Sequence, residues 1–469
     1  MSGIRNLLNI ARSALSAQQA GMNVVGHNIA NANTEGYSKQ EIMFSNRPGT
    51  GILRGESGTG VDAGDIRQRQ AVFADKRILK ENTRLGQWDV TRRILEQAEI
   101  AFSGAGESDL NTVMNDFFNA WEDLSSNPES VEFRNQLLHK SEALTAKFHA
   151  IDDSLSEVRK NTASEFRSAV NNVNSIIDKI DDLNTTIEHH EIDGGRANDL
   201  RDQRQNLIND LSKIINIQTT ETNTGVTKIS FNGRLLLGRN TKQYLRADST
   251  ASDASNTTTV FVGNKEVDVS TGELGGLKTL HDSTIPGYKQ KLDDIAGTIV
   301  KQVNNLHGRG YGLDGSTGKE FFISGGTTAA SITVSVDLRD SPNSIATAGT
   351  SFDPAAGEFV SNGPGDNSIA RRIANIRNVP LLNGRTATLS DSYTDLYAQV
   401  GFDTANAKNN KDSHQGLMDQ MQNYRESIVG VSIDEELADM LKFQNSYGAA
   451  ARLITVADDM MKTLINVLG

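Results

Sequence analysis

The residues with the most suggestive chemistry form the run His189-His190-Glu191, which places imidazoles beside a carboxylate. Zinc proteases use this combination in the pattern His-Glu-x-x-His, which puts two histidines on one helix face beside a general base. Here the position of the second histidine is occupied by Gly194. The run is better explained as the polar end of a helix that precedes a glycine turn.

Two further segments resemble ligand-binding loops without completing them. Residues 272–279 are glycine-rich like a phosphate-binding loop, but Leu277 stands where glycine must precede Lys278. The turn that starts at Asp314 lacks the further acidic residues and the closing glutamate of a calcium loop. The chain has no cysteine, so thiolate ligands and nucleophiles are excluded. We therefore predict no catalytic residue, no metal site and no cofactor, and we expect a protein that is not an enzyme.

Charge and hydropathy exclude further classes. The 469 residues include 47 basic and 59 acidic side chains, a formal net charge of −12, which argues against binding to nucleic acid or to an anionic membrane. The sequence has no apolar run of about 18 residues, the length that spans a bilayer. Asn6, Asn9 and Arg12 interrupt the apolar N-terminal segment, so we expect no cleaved signal peptide.

The middle of the chain carries helical periodicity. Apolar residues recur every three or four positions over 166–187 and 198–211, which predicts two helices joined at Asp193-Gly194-Gly195 as an antiparallel hairpin. The same spacing predicts a helix over 283–306. Helices are also expected at 367–377 and 389–400.

Two polar segments, 217–276 and 308–366, interrupt these helices. They are rich in threonine, serine, asparagine and glycine, and they predict short strands at 226–231, 257–262 and 331–336. The order along the chain is therefore helices, β insert, helix, β insert, helices.

Both ends of the chain carry a heptad stripe, in which apolar residues alternate in steps of three and four. At the N-terminus the stripe contains Ile4, Leu8, Leu15, Met22, Val25 and Ile29. At the C-terminus it contains Leu437, Met440, Tyr447, Ile454, Met461, Ile465 and Leu468. These residues are the predicted assembly site.

The two stripes are imperfect. Gln18, Gln444 and Asp458 are polar at stripe positions, and glycines such as Gly21 and Gly448 each cost about 1 kcal/mol relative to alanine inside a helix. We therefore expect the terminal helices to be marginal alone and to pair with the other end of the same chain and with neighbouring copies, which implies a homo-oligomer. The alternative from periodicity alone is a pair of ordinary amphipathic helices packed on a globular core.

These patterns together predict an α+β chain that is elongated and multidomain, with a terminal α-helical coiled coil, a helical-bundle middle domain and a β-rich inserted outer domain. The terminal coiled-coil helices are assigned to 1–40 and 430–469. The mainly helical middle domain is assigned to 41–216, 277–307 and 367–429, and the β-rich outer domain to 217–276 and 308–366.

The residues after the first stripe are the most specific feature of the sequence. The motif contains Asn28, Asn31, Asn33, Thr34, Gly36 and Tyr37. It resembles the signature of the bacterial flagellar axial proteins, the rod, hook and hook-associated family, and the stretch 430–447 is similar to the matching C-terminal end of that family. The helix at 198–204 and the segment 308–322 are similar to the hook-associated branch.

The resemblance implies a structural subunit of the junction between hook and filament that polymerises through its terminal helices. It implies as partners the flagellar hook protein, the second hook-filament junction protein and an export chaperone at the C-terminal helix. The location would be the extracellular flagellum, reached through the flagellar export channel. Two alternatives stay open: a hook or filament-type subunit of the same family, and an axial protein whose central insert binds a ligand.

Overall fold

A computed structural model of the chain describes residues 2–47, 58–103, 109–192, 194–248, 257–355 and 358–468. The chain is mostly helical, with small antiparallel sheets. The helices are α1 (Ser2–Asn31), α2 (Val72–Ser103), α3 (Leu110–Ser126), α4 (Val131–Glu191), α5 (Asn198–Ile214), α6 (Gly272–Thr279), α7 (Ile285–His307), α8 (Val336–Asp340), α9 (Ser368–Ala374), α10 (Leu389–Val429) and α11 (Ile433–Leu468). A π-helical turn at Leu280–Thr284 joins α6 to α7, and 3-10 turns form at Pro342–Ser344 and Asn375–Asn378.

The strands pair with close neighbours in sequence. They are β1 (Gln40–Asn46), β2 (Val61–Gln68), β3 (Ile217–Glu221), β4 (Thr227–Phe231), β5 (Arg234–Gly238), β6 (Thr241–Lys242), β7 (Leu245–Asp248), β8 (Thr259–Val262), β9 (Lys265–Val267), β10 (Thr350–Asp353) and β11 (Glu358–Ser361). β1 pairs with β2, β3 to β6 form one meander, β7 to β9 form another, and β10 pairs with β11, all antiparallel.

The helical body is organised around α4, which runs for 61 residues. Its start is defined by Ser130, whose side chain accepts a hydrogen bond from the Phe133 amide as an N-cap. The predicted stripe over 166–187 lies on the buried face of α4, and α5 packs against α4, so the predicted hairpin is confirmed. Asp193, in the predicted turn, lies outside the described residues.

The two polar segments differ in structure. The first contains the predicted strands near 226–231 and 257–262 as β4 and β8. The predicted strand at 331–336 is wrong: this stretch is irregular, with a single bridge from Val334 to Phe322, and α8 starts at Val336. The alternating apolar residues that suggested a strand, Ile332 and Val334, are buried in the core. Their side chains reach the core from an irregular backbone, so this alternation does not require pairing with a neighbouring strand.

The core of the second segment is aromatic. Phe321 and Phe322 are fully buried and pack against Trp121 and Phe117 of α3. His307 lies edge-on to Trp121 in the same cluster. Trp121 is therefore a core residue, and Trp88 packs partly buried against the same core.

The last helix of the body is longer than its pattern predicts. The helix expected at 389–400 extends to Val429, and it starts with a capping box between Thr388 and Asp391. α10 packs antiparallel along α2, where His414 contacts Glu81 and Arg425 pairs with Asp75. Its second half is polar on most sides, so apolar periodicity could not reveal it.

None of the helices in the described part of the chain carries an apolar stretch long enough to cross a bilayer. Among the described residues, the main core contains no side chain of α1 or α11. The two terminal helices therefore pack apart from the body's core.

Candidate assembly site

The terminal helices α1 and α11 pack against each other in antiparallel orientation. Asn28 near the end of α1 bonds to Glu436 at the start of α11, and Gly21 lies one heptad earlier, against Phe443 one heptad later. α1 also contacts the β1–β2 hairpin, where the Val61 amide donates to the Ser13 hydroxyl. One side of α1 is thus covered by α11 and another by the hairpin.

Small residues are among those buried on both terminal helices. Ala11, Ala17 and Gly21 are buried on α1, and Ala450 and Ala457 are buried on α11. Small side chains let two helix backbones approach closely and gain contact along their length. Among the residues of α11 whose burial is described, those fully buried in the seam within one chain are Glu436, Ala450 and Ala457 rather than leucines.

The predicted stripe on α1 lies close to this seam. Val25 is buried, and the remaining predicted residues are half-buried, namely Ile4, Leu8, Leu15, Met22 and Ile29.

The predicted stripe on α11 shares only part of the inward face. Met440 and Ile454 are half-buried, whereas Leu437, Tyr447, Met461 and Ile465 are exposed. Leu468 ends the helix, and its side chain lies outside the described residues. The inward face follows residues 436, 443, 450, 457 and 464, one residue before the predicted positions 437, 444, 451, 458 and 465. A shift of one residue rotates a position by about 100° around the helix, which explains the exposure of Leu437 and Ile465.

Large apolar side chains remain uncovered on the outside of α11. They are Leu437, Leu441, Leu453, Val456, Met460 and Ile465. An apolar surface of this size on a helix is typical of an interface with another protein. Sequence periodicity identified Leu437 and Ile465 among these residues, and their predicted role in contacts with neighbouring copies stays a prediction.

Asn28, the first residue of the family motif, is a hydrogen-bond hub with 1% of its surface exposed. Its amide nitrogen donates to the Gln40 carbonyl and to Glu436 Oε2, both at 2.9 Å. Its amide oxygen accepts from the Tyr37 hydroxyl at 2.8 Å and from the Gln40 amide at 3.0 Å. One side chain thereby joins α1, the start of β1 and α11.

The hydrogen bonds around Tyr37 assign a tautomer to His27. The Tyr37 proton goes to Asn28, so His27 Nδ1, 2.9 Å from the same hydroxyl oxygen, is the donor of that pair. Nε2 lies 3.4 Å from the Asn31 amide nitrogen and 3.6 Å from Asp199 Oδ2. Burial, followed by the charges of Asp199, Asp202 and Glu436, raises the pKa of Tyr37, which keeps the phenol protonated as a donor.

The rest of the motif forms the turn that ends α1. Thr34 donates its hydroxyl to Asn31, and Asn33 is exposed. Gly36 has a φ of +79°, and a Cβ there would collide with the side chain of Asn206 on α5. Glycine is therefore required both for the backbone conformation and for the close approach of the turn to the body.

The segment after the turn is bound to the body through charged groups. The Ser38 amide donates to Asp202 of α5 at 3.0 Å, and Arg425 of α10 donates to the Ser38 hydroxyl at 3.1 Å. Burial raises the pKa of Asp202 to about 6, despite the hydrogen bonds from Ser38. The helix at 198–204, which sequence singled out separately, is thus the docking surface for the N-terminal motif.

Lys39 brings a buried positive charge to α11. Its ammonium lies 2.7 Å from Glu436 Oε1 and 3.3 Å from Glu435 Oε2. Burial lowers the pKa of Lys39, but the hydrogen bond and charge of Glu436 outweigh this effect, and the pKa is raised overall. Sequence analysis did not identify Lys39 or Glu436 as site residues. The feature that could have identified them is one charged residue of opposite sign on each of the two segments that meet.

The three sequence segments that resemble ligand-binding sites have structural roles in the fold. Glu191 pairs with Arg201, and segment 272–279 forms helix α6. Asp314 accepts hydrogen bonds from the hydroxyls of Ser316 and Ser344. No cluster of three or more potential metal ligands occurs within the described ranges.

Comparison with protein families gives three matches. Residues 8–37 match the family described as flagella basal body rod protein, and residues 423–467 match the C-terminal family of the flagellar basal body rod FlgEFG proteins. These two matches at the chain ends define the class: a flagellar axial protein. Residues 95–322 match the flagellar hook-associated protein FlgK helical domain. Over its whole length the chain is similar to flagellar hook-associated protein 1.

Individual relatives agree with this assignment over the whole length. The chain is 27% identical to flagellar hook-associated protein 1 of Bacillus subtilis (strain 168), with 98% of each chain covered. It is 24% identical to the protein of the same name from Escherichia coli (strain K12), covering 98% of this chain and 100% of the relative. The structure of the flagellar hook junction protein FlgK from Burkholderia pseudomallei shares the fold, with a TM-score of 0.66 at 14% identity, over 76% of this chain and 100% of that one.

Proposed function

We propose that this chain is a structural subunit of the bacterial flagellum that forms the junction between hook and filament and polymerises through α1 and α11. Its family relatives are hook-associated proteins along their full length. The subunit acts mechanically, as a connector between two different polymers, and its function needs no chemical step.

The proposal rests on which residues of the terminal helices are buried within one chain and which large apolar residues stay exposed. The described residues of α11 that are buried within one chain are Glu436, Ala450 and Ala457, whereas most of its large apolar side chains are exposed. Each fully buried large aliphatic side chain contributes about 1.5–3 kcal/mol, so covering this face with neighbouring copies would stabilise an assembly substantially. The α1–α11 pair of one chain therefore exposes an apolar face that helices of neighbouring copies can cover, which would form a larger coiled coil.

The proposed domain division follows the same logic. The terminal helices, 1–40 and 430–469, form the inner assembly layer, and the helical segments 41–216, 277–307 and 367–429 surround it. The segments 217–276 and 308–366 form the outer, β-rich part; the two meanders of the first segment support this. The hook protein, the second junction protein and a chaperone that covers α11 before export are the proposed partners, and the proposed location is the extracellular flagellum.

Deleting 433–469 tests the proposal. The body should stay folded, because its core has no residue from α11 among those described, and Trp88 and Trp121 report its folding by fluorescence. The truncated protein should fail to restore filaments to a strain that lacks the gene, leaving intact hooks without filaments.

Filaments attached by the truncated protein would contradict the proposed role of α11. Formation of long polymers by the purified full-length protein would instead assign it as a hook or filament-type subunit, since a junction layer should stop growing.

A further inference from the structure

We infer that Glu436 is a positioning residue that fixes the direction of α11 relative to the helical body. Only residues 430–432 separate the end of α10 from the start of α11. Beyond this connection α11 packs along α1, and α1 packs along the β1–β2 hairpin. The orientation of the terminal pair therefore depends on a small set of contacts near the start of α11.

Glu436 is the central member of that set. Its surface is 1% exposed, and its two carboxylate oxygens have different partners: Asn28 on one oxygen and Lys39 on the other. A buried carboxylate needs both partners to compensate for lost hydration. This requirement fixes the position of the first turn of α11 and the rotation of α11 about its own axis.

Lys39 transmits this restraint to the body. Its amide donates to the Val429 carbonyl at the end of α10, and its carbonyl accepts from the Arg69 amide after β2, both at 2.8 Å. The neighbouring Ser38 is held by Asp202 and Arg425. The ammonium that binds Glu436 is thus carried by a backbone that is fixed on both sides.

Glu435 provides a matched control on the same helix. It also contacts Lys39, at 3.3 Å, but its side chain is 66% exposed and can exchange this contact for water. Glu435 and Glu436 differ in burial rather than in charge, so a difference between their variants isolates the buried contact.

The test uses the absence of native cysteine from the chain. Gln422 on α10 and Arg452 on α11, both exposed, are replaced by cysteine and spin-labelled, and the distance between labels is measured by electron paramagnetic resonance in dilute protein. We expect one narrow distance peak in the parent and in Glu435→Ala, and loss of that peak in Glu436→Ala. The double variant Lys39→Met with Glu436→Gln, which leaves no unpaired buried charge and keeps an acceptor for Asn28, should restore it.

An unchanged narrow peak in Glu436→Ala, or equal broadening in Glu435→Ala, would overturn the inference. Tryptophan fluorescence confirms that the body stays folded in each variant. The consequence for assembly rests on the proposed function, so each variant is also tested for filament attachment. If the peak is lost in Glu436→Ala while the deletion of 433–469 still attaches filaments, the positioning role stands and the proposed function fails.

Discussion

The ring of Phe443 on α11 lies directly over Gly21 on α1, so close that a Cβ on residue 21 would be 2.9 Å from the ring. Phe44 of β1 contacts Phe443 edge-on, with ring centroids 6.1 Å apart. From the sequence alone, Gly21 is expected to lower the stability of the helix in which it lies. In the structure it is the position that admits the largest side chain of the seam and joins α1, α11 and the β1–β2 hairpin.

Replacing Gly21 with alanine should therefore weaken the terminal pair. Alanine favours an isolated helix by about 1 kcal/mol, but here its methyl group must displace the Phe443 ring. We expect faster amide hydrogen exchange in α11, measured by mass spectrometry.

Gly26→Ala is the matched control for this change. It lies on the same helix, and its Cβ would meet nothing within 4 Å, so this variant should slow exchange. Equal protection in the two variants would show that Phe443 places no demand on residue 21.

Removing the amide of Asn28 should disrupt the terminal region more than changes at the other asparagines of the motif. Asn28→Ala leaves Gln40 and Tyr37 groups without their partner, and each buried polar group left unsatisfied costs about 1–3 kcal/mol. Asn33→Ala, at an exposed position, should have little effect. Hydrogen exchange across α1 and the start of α11 measures both; comparable protection would contradict the hub assignment.

An acidic residue on the outward face of α11 should prevent assembly without altering the monomer. Met460 is 51% exposed, so Met460→Asp removes little packing within one chain but would place a charge in the proposed interface between copies. Thermal unfolding should be unchanged, and filament attachment should be lost. Thr455→Asp, an exposed change of equal charge, is the control; loss of attachment in both variants would indicate a general charge effect.

His307 should make the body less stable in acid. Its Nδ1 lies 2.7 Å from the Lys319 carbonyl, its Nε2 accepts from the Ala346 amide, and burial lowers its pKa to about 4. The unfolded chain, with a pKa near 6.5, binds the proton more readily, so stability present above pH 6.5 is lost as the pH falls towards 4, by about 3 kcal/mol. Urea unfolding at several pH values measures this loss.

The variant His307→Gln should flatten that dependence, whereas His139→Gln, at an exposed site, should not. Titration of the His307 ring by NMR gives an independent reading. A pKa near 6.5 in the folded protein would contradict the expectation, even if the variant failed to fold.

Asp202 should act in the opposite direction. Its folded pKa of about 6 lies above the value of about 3.9 in an unfolded chain, so the folded state loses stability as the pH rises between these values. Asp202→Asn keeps an oxygen to accept from the Ser38 amide, and it should stabilise the protein at pH 7.5 but not at pH 4. An equal effect at both pH values would show that burial does not perturb this carboxyl group.

The sequence by itself determined the elements whose signal is local. The periodicity over 166–187, the turn after α4 and the motif from Asn28 to Tyr37 gave the helical body, its hairpin and the family. These features depend on residues that are close together in the chain, so they can be recognised from the sequence alone. The second half of α10, which is polar on most sides, and the irregular stretch at 331–336 carry no such signal, and they were missed or assigned wrongly.

Only the tertiary structure decided which faces of the terminal helices meet. Periodicity identifies a stripe, but it does not say whether the closest contact uses leucines or alanines, because both repeat with the same spacing. The choice depends on how closely two backbones approach, and here Gly21, Ala450 and Ala457 permit the closer packing while the larger residues remain outside. The pairing of Asn28 with Glu436 likewise joins residues that are distant in the chain and become neighbours only when both ends dock on the same body.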